Sequence, residues 1–594
     1  MANERPKIDP VTAQVIGGAL ESVALEMGHK LARMSYSSII RESEDFGCAL
    51  LDAEGRQMAE CPISTPLQLG PISGYMRGIF RAMEEVGDEF HPGDVIFHNH
   101  AYYGASHGPD VGIGMPVFKD GTLVGFSFTT AHHLDLGALS PGSCGIVDAM
   151  DAYAEGLQLK AIKLYEKGVR NEMVWRILRQ NIRSADMVVG DMEAQVAAAR
   201  VGAERYLELI ERFGYENILD ARDALMDYSE RRMRQAIAAL PDGVYRAEDH
   251  IDGFLDSSVA GEKDLKIAVT ITIAGDEMIV DLEGTSPQVP NKPINMPFIG
   301  TVDIAIYVAL RSILLDSALT EYVPQNDGLV RPITIKAPKG SLANPIYPAP
   351  VIARFCPGNI LSSTVMKALA PVAPRNVSAG VGNLKVAAYS GLSDEQYWVY
   401  MDITEGSYGG RYGRDGMDAV DTLFANTRNN PIEDIESHYP LRVTRYDLIE
   451  DKGGAGQWRG GLGSIRDMTF LAESFLSLEG DGNKYAPWGL FGGKPGTPGG
   501  IQHTPAGGTP IDLPSKFPSR HASAGDSYRT ISPCGGGYGD PLERAVQMVL
   551  EDVLDEYVSV ESAKREYGVV IDQERWTVDE VATRNLRAQM RSGS

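Results

Sequence analysis

Cysteine is scarce. Five residues in 594, Cys48, Cys61, Cys144, Cys356 and Cys534, lie far apart with no CxxC pair, which excludes a disulfide framework and a zinc knuckle. Positive charge is short as well: 55 Lys and Arg against 80 Asp and Glu leave a formal charge of −25. That balance excludes a nucleic-acid binder that tracks phosphates, and a protein drawn to anionic membranes. Long hydrophobic runs are missing. The richest stretch, TVDIAIYVALRSILL, is broken by Asp303 and Arg311, and the opening MANERPKIDP has no apolar h-region. The expectation is a chain with no signal peptide and no spanning helix, at home in the reducing cytoplasm. There is no GxxxxGK[ST] and no GxGxxG between a strand and a helix, so a phosphate loop is excluded. Internal repeats and low-complexity linkers are absent too.

The rest has the composition of an ordinary globular protein, 43% hydrophobic and 23% charged. VTAQVIGGALESVALEMGHKLARMS reads as an amphipathic helix, with Val11, Val15, Ile16, Ala19, Leu20 and Val23 at three- and four-residue steps. Residues 171–213 contain almost no Gly or Pro and read as a long helical stretch. Between them, residues 45–135 carry short β-type runs such as CALLD, DVIFHNH and LVGFSFTTAHH. After about residue 240, KIAVTITI and MIVDLEG alternate with period two around a turn holding Gly275 and Asp276. The fold expected is α+β and multi-domain. Residues 1–240 would bear the functional site between helices, and residues 241–594 would be a strand-rich, glycine-rich region closing in a helix over 541–568 and a frayed polar terminus.

Glycine is abundant, 64 of 594 residues, and concentrated in GGAGQWRGGLG from Gly453, WGLFGGKPGTPGG from Trp488 and CGGGYGDP from Cys534. Such runs serve backbone that passes close to backbone or takes positive φ. Two readings follow: tight packing and turns in a β-rich region, or a loop that cradles an anion.

Histidine is clustered. Six of the eleven, His91, His98, His100, His107, His132 and His133, lie between positions 91 and 133. Two patterns stand out, Ser-His107-Gly-Pro-Asp110 and Ala-His132-His133-Leu-Asp135. Imidazole nitrogen with carboxylate oxygen is a ligand set suited to divalent Zn, Mn or Fe, and three residues with open positions suit a catalytic ion. On a strand, adjacent side chains face opposite ways, so only one of His132 and His133 enters such a site. Asp135 shares a face with His133. Two other candidates are weak. Gly104–Gly108 matches GxSxG around Ser106 but lacks the strand before and helix after that a nucleophile elbow needs. Cys144, in PGSCG, has no activating neighbour in sequence.

Read in order, these segments resemble the B-type chain of the hydantoinase/5-oxoprolinase family, which also contains α-type chains of acetone- and acetophenone-type carboxylases. The likeness runs from DPVTAQVIGGALESVALEMGHKLARMSYSSIIRESEDFGCALLD, through NHAYYGASHGPDVGIGMPVF, AHHLDLGALSPGS, GTSPQVPNKPINMP and LANPIYPAP, to GGAGQWRGGLGSIR, WGLFGGKPG and SPCGGGYGDPLERAV. Three positions depart from the family pattern: His100 where Asp is usual, Gly47 where Ser is usual, and Ala138 where a second Gly is usual.

The resemblance implies an ATP-dependent enzyme that opens a hydantoin, 5-oxoproline or larger lactam ring such as caprolactam. It implies a hydantoinase A-like partner that holds Mg-ATP and activates the substrate, in a hetero-oligomer such as a heterotetramer. Carried over by motif, the metal ligands would be His107, Asp110 and His132, with Asp45 of the EDF motif as a fourth. His133 and Asp135 would be the nearest proton carriers. The alternative it implies is the α-type chain of a ketone carboxylase, with bicarbonate as co-reactant. A scaffold that only steadies its partner would have no need of the clustered histidines.

Overall fold

The computed structural model describes residues 8–70, 72–315, 322–393 and 395–592. The opening MANERPK lies outside the described residues. The first helix, Pro10–Met34, starts where Asp9 caps it, its Oδ1 accepting from the amides of Val11 and Thr12 at 3.1 and 3.0 Å. Ile16, Leu20, Val23, Met27 and Leu31 form its buried stripe. Val11 and Val15 instead face outward, 73% and 52% exposed, so the stripe is narrower than the sequence pattern suggested.

This helix and the helix Ala185–Phe213 cover one face of a seven-stranded antiparallel sheet. Its order is Gln57–Glu60, Phe46–Leu51, Thr122–His132, Asp110–Lys119, Val95–His98, Ile162–Glu166, Val169–Arg170. The helix Ile72–Val86 covers the other face, packing Tyr75, Met76 and Ile79 on Phe126 and Phe128. Buried on both sides, the strand Phe46–Leu51 has no exposed residue, so it reads as a continuous apolar run rather than an alternation.

The stretch 171–213 is two helices, Glu172–Asn181 and Ala185–Phe213. No Gly or Pro divides them. The break is tertiary: Asp135 accepts from the Arg183 amide at 2.7 Å and from its guanidinium at 2.8 Å, and Ser184 takes a left-handed φ of 50°.

After residue 240 the expected hairpin is present, Lys263–Ala274 paired with Glu277–Asp281. The hydrophobic stretch at 301–315 forms the helix Asp303–Leu314, buried against the helix Phe355–Leu369, and no helix among the described residues is long and apolar enough to cross a membrane. One hydrophobic cluster runs from Ile8 to Ala425 across residue 240. Beyond it, a four-stranded and a five-stranded sheet enclose a second core of Tyr389, Tyr400, Phe470, Leu476, Phe517 and Tyr528. The carboxyl-terminal region holds the helices Val546–Leu554 and Val560–Tyr567. The terminus expected to fray is instead the helix Glu580–Ser592, pinned where Arg587 donates to the carbonyls of Tyr567 and Arg544.

The three glycine runs pack on one another. A Cβ on Gly460 would lie 2.0 Å from the Gly535 carbonyl oxygen, and one on Gly496 would lie 1.8 Å from that of Cys534. The amides of Gly454, Gly535 and Gly537 donate to backbone carbonyls across the runs, and that of Gly536 donates to the Gly380 carbonyl. With those donors taken, the runs are backbone-on-backbone packing and not an anion cradle.

Candidate metal centre

The sheet alternation settles the histidine doublet. On the strand Thr122–His132, Phe126 and Phe128 face the helix Ile72–Val86, and His132 continues that parity. His133 points to the opposite face, where its Nε2 meets Gln195 Oε1 at 2.9 Å on the helix Ala185–Phe213. Asp110 begins the neighbouring strand and pairs in register with His132, so the two side chains stand side by side on one face.

His107, in the turn before that strand, completes the group. Its Nε2 lies 3.1 Å from Asp110 Oδ1 and 3.3 Å from His132 Nδ1, and His132 Nδ1 lies 2.8 Å from the same Oδ1. Asp45 Oδ2 stands 4.0 Å from His132 Nδ1, and its Oδ1 accepts from Thr65 at 3.1 Å. All four residues are buried.

The surroundings set charge and tautomer. His107 Nδ1 lies 2.9 Å from the Ile352 carbonyl; a carbonyl only accepts, so Nδ1 carries the proton and Nε2 faces the cluster with a free lone pair. Burial, then the Arg354 charge, bring His107 down to about 4. Burial alone would raise Asp110, but the charge of Arg354 and the hydrogen bond from His132 hold it well below the usual carboxylate range. For His132, burial opposes protonation, and Cys144 and Asp110 at its two ring nitrogens outweigh it, so its pKa is raised. Asp45 is pushed up to about 6, mainly by burial.

Two imidazole nitrogens and a carboxylate oxygen about 3 Å apart match the spacing of neighbouring ligands held ~2.1 Å from one ion. The donor set therefore fits a divalent cation. A second grouping, His107, His132 and Cys144, has ligand atoms within 4.8 Å of one another. It is the poorer set. Cys144 approaches the other nitrogen of His132, at 3.9 Å, where Ser143 Oγ already sits at 2.6 Å, and burial pushes its thiol up.

The remaining candidates are engaged in other ways. Asp135 is spent on Arg183, and His133 on Gln195. His98 is bound at the Tyr103 carbonyl, 3.0 Å away, and His100 packs against Tyr103 and Tyr347. Ser106 donates to Asp110 Oδ2 and so orients a carboxylate. A Cβ on Gly47 would stand 2.7 Å from Thr130 Oγ1 and 2.9 Å from the Gln68 carbonyl oxygen, which is why serine does not fit there.

Sequence reading missed the residues that orient the group. Gln68 Nε2 donates to Asp110 Oδ1 at 2.8 Å, and Arg354 Nη2 to Asp110 Oδ2 at 2.7 Å. Arg354 and Ile352 come from beyond residue 240. A lone Arg in VIARFCPG carries no local signal of this, because its partner is set by tertiary packing alone.

The model of the family described as Hydantoinase B/oxoprolinase matches residues 9–541. The chain is 61% identical to the B-type chain of the "Putative D-/L-hydantoinase" of Pseudomonas sp. (strain NS671), over 98% of both chains. The crystal structure of the ATP-dependent caprolactamase from Pseudomonas jessenii superposes with a TM-score of 0.86 at 30% identity, covering 98% of this chain and 100% of that one. Acetone carboxylase in its nucleotide-free form shares the fold, with a TM-score of 0.88 at 18% identity over 100% of this chain and 84% of that one.

Proposed function

The chain belongs to the hydantoinase B/oxoprolinase family, and we propose from this that it is the metal-bearing component of an ATP-dependent cyclic amide hydrolase. The observation that carries the reading is the convergence of His107, Asp110 and His132 within 3.3 Å on one buried face. The ring to be opened would be a hydantoin, 5-oxoproline or a larger lactam. A hydantoinase A-like partner would hold Mg-ATP and activate the substrate, which agrees with the missing phosphate loop.

Amide resonance makes the carbonyl a poor electrophile, and activation at oxygen turns that oxygen into a leaving group. A divalent ion held by His107, Asp110 and His132, with Asp45 beside them, would supply Lewis acidity and a nucleophile at neutral pH. The chain's own residues prepare that site. Ile352 fixes the His107 tautomer, while Arg354, Gln68 and Ser106 hold Asp110 anionic and aimed. Asp45, 4.0 Å from His132, is placed to exchange a proton beside the ion, a role nearer the cluster than His133 or Asp135 could take. Burial of the whole group keeps the activated carbon away from bulk water.

The test is ADP release by the complex co-purified with its partner, challenged with lactams, hydantoins and ketones, with and without bicarbonate. ADP release coupled to ring opening supports the hydrolase. Release that requires ketone and incorporates labelled bicarbonate overturns it in favour of a carboxylase. His107→Ala should assemble normally yet lose metal and product; full metal content and turnover in that variant would sink the metal assignment.

A further inference from the structure

Arg354 stands at the start of the helix Phe355–Leu369 and is 1% exposed. Only one of its three guanidinium nitrogens is used: Nη2 reaches Asp110 Oδ2 at 2.7 Å and Ser106 Oγ at 3.4 Å. Nε and Nη1 are buried with no hydrogen-bond partner among the described residues. Buried donors are normally paired, so an open guanidinium edge beside a candidate catalytic centre calls for a ligand. A second orphan lies nearby. Glu479, on the strand Ser474–Gly480, accepts the Cys356 amide on Oε1 at 3.1 Å, while its Oε2 is buried and unpartnered. Cys356, two residues after Arg354, links the two places, and the turn Ser143–Gly145 runs between His132 and the Glu479 strand. Ser143 meets His132, and a Cβ on Gly145 would lie 3.2 Å from the carbonyl oxygen of Ser477, on Glu479's own strand.

We propose that the open edge of Arg354, with Oε2 of Glu479, is the receptor for a phosphoryl group, carried by the activated substrate and released as orthophosphate. The inference rests on the ATP-dependent activation proposed above and names where that activation is read in this chain. A guanidinium fork matches two oxygens of either a carboxylate or a phosphoryl group. The phosphoryl group offers a third, which a protonated Glu479 meets as a donor. Burial, against the Cys356 amide and the charges of Lys516 and Arg354, brings Glu479 to about 7, so about half of the chains carry that proton at neutral pH and most do at pH 6. Arg354 would thus tie two events together, one nitrogen aiming Asp110 and two gripping the leaving group.

Calorimetric titration of the full-length chain with orthophosphate at pH 7 is the test, with metal content and melting temperature measured on the same samples. Arg354→Gln should weaken phosphate binding at least tenfold, with some loss of metal and of melting temperature because the same change frees Asp110. Should that variant fail to fold, Arg354→Lys keeps the charge without the fork and should weaken binding at least threefold. Sulfate, whose charge is constant over the range, should bind the wild type more weakly at pH 8 than at pH 6, and Glu479→Gln should remove that dependence. No phosphate binding by the wild type, equal binding by the arginine variants, or binding of bicarbonate alone overturns the proposal. A wild type that holds no metal but binds phosphate through Arg354 would remove the metal reading and leave this one standing.

Discussion

The two halves of this chain solve opposite problems of burial. In the seven-stranded sheet, His107, Asp110, His132 and Asp45 are sunk out of water as polar side chains, and each survives because neighbours satisfy it. In the glycine-packed region most of what must be satisfied is backbone, with Arg459 and Arg544 paired to aspartates at its edge, and strands of main chain close directly on one another. The first arrangement tolerates loss of a side chain but loses its chemistry. The second depends on close main-chain contact, and should not tolerate an added atom where glycine meets a carbonyl.

Adding an atom to the second region should therefore have the largest effect. A Cβ on Gly406 would lie 1.7 Å from the Gly382 carbonyl oxygen, so Gly406→Ala should cost more than ~4 kcal/mol. Soluble yield and thermal melting would read that loss, and a variant melting near the wild type would break the contrast. Removing a side chain from the first region should separate the doublet. His132→Ala should abolish bound metal in elemental analysis while the chain stays folded. His133→Ala should keep the metal and cost about 1–3 kcal/mol through the stranded Gln195. Equal metal loss in both would show that the two faces of the strand are not independent.

Acidity offers a gentler probe. Burial pushes Glu60, Glu155 and Glu405 up to about 8 from their ordinary 4.5. Each binds its proton more tightly folded than unfolded, so the stability it contributes is complete below pH ~4.5 and is lost as pH rises through 8. The melting temperature should fall between pH 5 and pH 9, and Glu155→Gln should flatten that slope. A melting temperature that rises over the range would refute the assignment. The smallest effect belongs to a glycine with no neighbour. Gly18 lies on the exposed side of the first helix with nothing within 4 Å of its missing Cβ, so Gly18→Ala should stabilise by about 0.5–1 kcal/mol in denaturant melts.

The same contrast decides what sequence could reveal. His107, Asp110 and His132 stand out because rare residue types cluster along the chain, and strand parity then explains why one histidine of the pair turns inward. The helix Pro10–Met34 and the hairpin about Gly275 are equally local, written in three- to four-residue and two-residue periods. Arg354, Gln68 and Glu479 carry no such mark, for each acts through a partner far away in sequence. The break at Arg183 escaped for the same reason: it is imposed by Asp135, 48 positions earlier, and by no residue that disfavours a helix. The closing helix Glu580–Ser592 looks polar and loose until Arg587 finds carbonyls on two other segments.

The distance between Asp110 and Arg354, 244 positions, also bears on how the protein is made. A ribosome delivers His107, Asp110 and His132 early, yet neither the carbonyl that fixes His107 nor the guanidinium that aims Asp110 exists until much later. A growing chain thus carries its candidate ligands through about 220 further residues of synthesis before the carbonyl and the guanidinium that complete their setting arrive. Translation itself would set the moment at which the centre becomes competent, and a chain released before residue 352 would leave that centre unfinished.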